Sequence, residues 1–583
     1  MTFSVYLCSR KRQEAKSMHI TPYYKYTRTR KTLLLCLLVL MLKPAQLQAK
    51  HTTPPNDTTS SAPLLFTQEE PSPKREIRAV WVTTLFGLDW PKTRAISETS
   101  REAQKQELCQ LLDRLKAINI NTILFQTRVR GSVIYPSEIE PWDGALTGVI
   151  GRDPGYDPLQ FAIEETHRRG MEFHAWVVTI PCFKVAVAKQ MGSKSVLNTH
   201  PDLCRKHGDT YYLDPGLPGT ADYLQRICHE IASRYDIDGL HFDYIRYPEN
   251  ASSFDDASTY RKYASKATTK TEWRRNNITH IVRSIYEDIH KLKPWVRISS
   301  SPVGKYADVS RYSSRGWNAR DAVFQDAQEW LRRGIHDILF PMMYFDGNHF
   351  YPFAADWQEQ RSGRLVAPGL GVYFLHPKEK DWPLGTIIRQ LYYLRNQGLS
   401  GQAYFRSNFL TDNTKGLYDY LPRDFYAFPA LPPACTWLDS ISPRQPEDLH
   451  LVTSASGISK LAWAAPKDAA KTEKAGLRYN IYASDQWPVD TEKAENLVAT
   501  CLTDNHFTIN LLHAVRSHLY FAVTALDRCG NESAPAQLST SPEHIPSTKL
   551  HLDRNGHVLD LVKRPLPPSS PQGKKKSKSF NKK

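Results

Sequence analysis

The segment Asp238-Gly239-Leu240-His241-Phe242-Asp243-Tyr244-Ile245-Arg246-Tyr247-Pro248 carries the densest set of reactive side chains in the chain. Read as a strand, it alternates, with Leu240, Phe242 and Tyr244 on one face and His241 and Asp243 on the other. A greasy face against helices, with an imidazole and a carboxylate opposite and Arg246 just beyond, suits a barrel strand that delivers chemistry to its C-terminal mouth. The run Phe173–Val178 projects His174 and Trp176 in the same sense. Aromatic faces mixed with carboxylates and Arg/His fit sugar recognition, because rings stack on pyranose faces while charged groups hold hydroxyls. On that basis Arg128, Trp142, His174, Trp176, His241, Arg246, Tyr344 and Tyr373 are expected to bind substrate. Cleavage of a glycosidic bond normally takes two carboxyl groups. Asp243 is the first, and cationic neighbours are expected to keep it ionised. Glu140, in Ser137-Glu138-Ile139-Glu140-Pro141-Trp142-Asp143, leads for the second, ahead of Asp89, Asp143 and Asp346. Two other readings compete. His174, His241 and Asp243 could hold zinc for a metal-dependent hydrolase or deacetylase, but no HxxxH or HExxH element accompanies them, so no metal or cofactor is expected. A barrel that binds glycan without cleaving it is the other.

The elements that must position these groups are legible in the periodicity. From Glu76, strand-length apolar runs alternate with amphipathic helical stretches. The strands are expected at 77–84, 122–129, 173–178, 239–244, 296–301, 338–345, 365–373 and 401–405, with helices at 101–117, 158–169, 221–235, 271–292, 322–333 and 384–396. Eight such units in residues 75–430 have the size and rhythm of a (β/α)8 TIM barrel, an α/β fold. A doubly wound sheet is the alternative, but no Gly-rich phosphate loop follows the first strand. Asp238, Glu172 and Asp337 open their strands, so a structural role at the opposite end of the barrel is expected for them.

Residues 435–541 have another texture, with short alternating strands at 460–464, 478–483, 507–511 and 519–525 between Pro and Asn/Gly punctuation. Trp463, Tyr479-Asn480-Ile481-Tyr482 and Tyr520–Ala525 leading into Asp527-Arg528-Cys529-Gly530 resemble a small all-β fibronectin type III-like sandwich, for which no chemistry is expected. The barrel is expected to fold without it.

The net charge of +16 resides at the ends: residues 1–49 carry +8 and residues 542–583 carry +7, leaving +1 for the body. That distribution argues against nucleic acid as a partner. Residues 1–49 have the basic, apolar and small-residue layout of a signal peptide cut after Ala49, which predicts export to the periplasm, envelope or surface; a retained anchor is the alternative. Residues 50–74 read as a flexible linker. The Lys-rich tail, 542–583, is expected to be solvated or to touch anionic envelope surfaces. Seven cysteines remain beyond the leader, none in a CxxC pair, and Cys182 with Cys204 and Cys501 with Cys529 are candidate disulfides.

Several ordered motifs give a family resemblance: Glu76–Val82, Phe125–Arg130, Tyr135-Pro136-Ser137 with Glu140-Pro141-Trp142, Pro154–Leu159, His174-Ala175-Trp176, the segment around Asp243, Ile298–Pro302 and Asp337–Tyr344. Together they resemble glycosyl-hydrolase-like family 10, over roughly residues 76–428. The resemblance implies an exported barrel enzyme with a polysaccharide substrate, peptide-stripped cell-wall glycan being one. Ser132 and Met342 depart from the Asp and Gln of many relatives. The strand around Asp243 also resembles the DxxDxDxE strand of family 18 chitinases, but Ile245 stands where their catalytic Glu would be, which disfavours that mechanism.

Overall fold

The computed structural model describes residues 72–310, 315–453, 458–467, 476–510, 513–514, 517, 519–539, 551–552 and 558–560. The leader, most of the linker and most of the basic tail, with the expectations attached to them, lie outside the described residues. Among the described residues no helix is long and apolar enough to cross a membrane.

Eight parallel staves form the main sheet. They are Ile77–Val82, Thr122–Arg128, Glu172–Val178, Gly239–Asp243, Arg297–Ser300, a sixth in two pieces (Ile338–Leu339 and Met342–Met343), a seventh in two pieces (Leu365–Val366 and Gly369–Leu370), and Gly401–Tyr404. Pro341 and Pro368 split the sixth and seventh staves, since proline has no amide hydrogen to give a ladder. Because the sixth pairs with the fifth and seventh, the seventh with the eighth, and the eighth with the first, the sheet closes into a barrel. The (β/α)8 expectation is met.

Helices return the chain between staves. Glu98–Ala117 starts on a Ser97/Ser100 capping box and Lys270–Leu292 on a Thr269/Glu272 box, so their first amides are satisfied by side chains. Asp157 caps Pro158–Arg168, with proline at the first turn where its missing amide costs nothing. Pro218–Arg234 and Leu384–Asn396 lie as the periodicity predicts, and Tyr351–Glu359 adds a helix that it missed.

Stave alternation sorts side chains into two cores. Ile123, Phe125, Phe173, Ala175, Val177, Leu240, Phe242 and Ile298 face the helices. Ala79, Trp81, Leu124, Trp176, Val178, Phe340, Ala367 and Ala403 fill the lumen. A packed lumen leaves chemistry to the mouth, as this fold requires.

A three-stranded antiparallel sheet, Pro181–Lys184, Cys204–His207 and Thr210–Leu213, extends the loop after the third stave. Farther on, one antiparallel sheet joins Glu447–Thr453, Ser459–Ala464 and His506–Ile509, and a second orders Leu497–Leu502, Arg478–Ser484, Tyr520–Leu526 and Ala536–Ser539. Leu461 and Trp463 of the first meet Ile481, Phe521 and Val523 of the second in one core. This β region is bolted to the base of the barrel. Asp238 accepts from Arg478 (3.2 Å) and Arg528 (2.9 Å) of the β region and pairs with His167 (2.7 Å). Trp437 Nε1 donates to Asp337 at 2.7 Å, and Cys435 and Trp437 pack on the lumen core from below.

All seven described cysteines are free thiols. The Cys182 and Cys204 thiols act on one another, whereas Cys529 lies against Cys435, whose amide donates to its carbonyl at 2.8 Å, and not against Cys501.

Candidate active site

The fourth stave supplies a column of lumen groups. At its lower end Gly239 leaves room for His174: a Cβ there would stand 2.5 Å from that ring. One layer up, His241 accepts from Trp81 Nε1 (3.1 Å) at Nε2, so its proton is on Nδ1, which donates to Ser299 Oγ (3.0 Å). Burial holds this ring neutral, well below its ordinary range, with His174 and His336 adding to the effect. Asp243 ends the column at the mouth.

Asp243 Oδ1 accepts from Ser301 Oγ (3.1 Å) and from the Tyr244 amide (2.8 Å). Burial raises its pKa, and the opposing charge of Arg246 and these hydrogen bonds do not cancel the rise. The expectation that cationic neighbours favour the charged form holds for Arg246, whose charge lowers the pKa, but the loss of water acts more strongly in the other direction. The Trp176 indole N–H faces the same carboxylate, close enough to favour its charge, but makes no hydrogen bond of good geometry.

Tyr244 breaks the alternation. Its φ is +53°, a left-handed conformation that costs a tyrosine on the order of 1 kcal/mol. The turn swings its ring off the helix-facing side, where parity with Leu240 and Phe242 predicted it, and onto the lumen core. Two guanidiniums lie over that ring, Arg246 at 4.6 Å and Arg130 at 5.9 Å from its centroid. Tyr344 packs edge-on to Tyr373 (5.8 Å) and against Phe405 (5.4 Å), and the charge of Asp243 reaches Tyr344.

Asp243, Trp176, Arg246, Tyr344 and Tyr373 therefore come together at the mouth. Other candidates do not. Glu140 and Arg128 form a sealed bidentate pair, 2.7 and 2.6 Å, with both side chains at 0% exposure, and Tyr223 donates a further bond to Glu140 at 2.8 Å. Arg128 also donates to the carbonyls of Val178 and Thr179, tying the second stave to the end of the third. A carboxylate so enclosed has no opening for a substrate or a water, so Glu140 and Arg128 hold the fold. His174 lies near the base, 3.5 Å from Glu172, and His241 is fully buried beneath the site. Trp142 packs half-buried against the helix-facing core. His174, His241 and Asp243 thus occupy different depths and do not converge, and among the described residues no group of three His, Cys, Asp or Glu side chains could hold a metal ion.

The other loop carboxylates divide in the same way. Asp89 accepts from the Thr83 and Asn408 amides and pairs with Arg406, tying the first loop to the last. Asp143 caps a short helix and accepts from Ser132 at 2.6 Å. Asp346 and Glu249 are exposed. The charge of Glu249 reaches Tyr244 and also Tyr212 of the three-stranded sheet. Sequence reasoning passed over Glu249 and Tyr212; the adjacency Pro248-Glu249, just past the reactive stave, was the available signal.

Residues 76–370 match the model of the family described as glycosyl hydrolase-like 10. Glycosyl hydrolase YngK of Bacillus subtilis is 30% identical over 490 residues, 80% of this chain and 93% of that protein. Glycosyl hydrolase DigH of Escherichia coli K12 is 34% identical over 345 residues, 55% of this chain and 76% of that protein. The solved glycoside hydrolase domain of PgaB (BpsB) from Bordetella bronchiseptica aligns with 60% of this chain and 98% of that domain, at 16% identity and a TM-score of 0.40. With a family match over half of the chain and a relative aligned along most of its length, this chain belongs to the glycosyl hydrolase-like 10 family.

Proposed function

We propose that the protein is an exported glycoside hydrolase that cleaves glycosidic bonds of an amino-sugar polymer, such as peptide-stripped cell-wall glycan, with Asp243 as its proton donor. The observation that carries this reading is the state of Asp243. It is a carboxyl group at the barrel mouth, beside Trp176 and Arg246, whose pKa burial raises, the direction that favours a general acid. Near it lie Trp176 and the Tyr344–Tyr373 pair, aromatic side chains of the kind that stack on a pyranose.

Glu249 is assigned as the second carboxyl group, in place of Glu140. Of Glu249 and Asp346, it is Glu249 whose charge reaches Tyr244, the immediate neighbour of Asp243. Glu249 is open to solvent, as a nucleophile or a base for water must be. Support for export is the layout of residues 1–49, and an N-terminal sequence of the mature protein beginning upstream of the apolar run would oppose it. The function is tested by digesting peptide-stripped cell-wall glycan and chitin oligomers with the full chain and resolving products by mass. New reducing ends are expected from the former. Glu249→Gln should lower the rate more than Asp346→Asn, and the reverse order would move the second role to Asp346.

A further inference from the structure

Phe86, in the loop after the first stave, has the most exposed Phe, Tyr or Trp ring among the described residues, at 73%. Its φ is +54°, and a bulky side chain in that left-handed region is a genuine outlier. A single exposed apolar residue is ordinary on a protein surface. One held exposed by a strained backbone is not, unless the loop is merely slack. This loop is pinned. The Thr84 and Leu85 amides donate to Gln126 Oε1 (3.0 and 2.8 Å), and the Gly87 amide donates to the Thr84 carbonyl (2.8 Å). Lys92 Nζ donates to the carbonyls of Gly87 and Leu88 (3.0 and 2.7 Å). Leu85 packs on the helix-facing core, while the next ring stands in solvent. The loop also joins the aromatic side of the mouth. Arg406, just past the eighth stave, donates to the Leu88 carbonyl (2.9 Å) and pairs with Asp89, and its guanidinium lies 4.9 Å over the Phe409 ring. Phe409 is 6.2 Å from Tyr373, which packs on Tyr344 at 5.8 Å, so contacts run unbroken from that pair to the loop of Phe86.

We propose that Phe86 is a distal glycan subsite, whose ring stacks on a sugar of the polymer other than those at the cleaved bond. An aromatic face in water meets the apolar face of a pyranose without needing any charge on the sugar. Because the loop is already held by hydrogen bonds, little freedom is lost when a sugar settles on the ring. The first stave stands three staves from the fourth in the closed barrel, which separates this ring from Asp243. The inference rests on the glycan-hydrolase reading and adds to it a dependence on chain length: strands long enough to reach Phe86 are held more tightly than fragments that fill only the centre of the mouth.

The test uses the full chain and peptide-stripped cell-wall glycan fractionated by length into long strands and the shortest fragments that the parent cleaves. Phe86→Asn removes the ring and places a residue that tolerates the left-handed region at an exposed position, so the fold should persist with an unchanged urea midpoint. On long strands its KM should rise about three- to tenfold with kcat unchanged, the factor that an aromatic contact supplies. On the shortest fragments it should match the parent, and Phe86→Trp should keep the parent KM on long strands. An unchanged KM of Phe86→Asn on long strands would overturn the subsite and leave hydrolysis standing. So would an equal rise on the shortest fragments, or a Phe86→Trp that behaves as Phe86→Asn does. If the parent cleaves neither fraction, the hydrolase reading fails, and the subsite is judged by direct binding of the long strands. Binding that is weakened in Phe86→Asn and kept in Phe86→Trp upholds it; binding equal in all three, or absent from the parent, rejects it.

Discussion

Asp238 and Asp243 stand five residues apart on one stave and are both buried, yet their carboxyl groups move in opposite directions. At the base, burial raises the Asp238 pKa, but Arg478, His167 and Arg528 outweigh it and hold the group well below the usual carboxylate range. At the mouth, burial is the larger influence on Asp243, and Arg246 does not reverse it. The difference is contact. Arg478, Arg528 and His167 lie at 3.2, 2.9 and 2.7 Å with hydrogen bonds, whereas Arg246 acts only through space. A buried acid with its charges bonded to it is a fastening; one with a cation left near but unbonded can still exchange a proton.

The largest expected effect comes from breaking the base. Asp238→Asn leaves Arg478 and Arg528 buried without their counter-ion, and removing one partner of such a network costs about 3–5 kcal/mol. Urea unfolding should show this as a lowered midpoint, with activity per folded molecule retained. Ending the chain at residue 430 removes both arginines and the Cys435–Trp437 plug, so the shortened barrel should unfold at least as easily. That outcome would run against the expectation that the barrel folds without the β region.

The pH dependence sharpens the contrast. A depressed pKa means that Asp238 contributes stability above its unfolded pKa, which is lost as pH falls through the lower folded value. Acid unfolding of the parent should therefore have a component that is absent in Asp238→Asn. Asp243 has the opposite sign: its raised pKa makes its ionised form a cost to the fold at neutral pH. Asp243→Asn should thus raise the urea midpoint at pH 7, the smallest of these effects, with the gain vanishing below the unfolded carboxylate pKa. A fall in that midpoint would mean that the group is fastened in the way Asp238 is.

Most of the barrel was legible because staves buried on both faces leave apolar runs bounded by turns, and the eight predicted strands lie on the eight staves. The breaks at Pro341 and Pro368 could have been read from proline alone. The site was less legible, for reasons that can be named. Alternation sent Tyr244 outward, and only its left-handed backbone turns it inward. Glu140 looked available because its partner, Arg128, is twelve residues away across a loop whose path periodicity does not report. His241 was rightly sent to the lumen, but whether a lumen group is covered depends on Trp81 and Phe340 from distant staves. The arginines that fasten Asp238 come from a region of different composition, 240 and 290 residues on.

The most direct measurement is kcat/KM against pH on peptide-stripped glycan, for the parent and for Asp243→Asn. The account predicts a parent profile with an alkaline limb above the ordinary carboxylate range, and for Asp243→Asn a loss of about a hundredfold or more with that limb gone. Near-normal turnover by Asp243→Asn, or an unchanged alkaline limb, would contradict it.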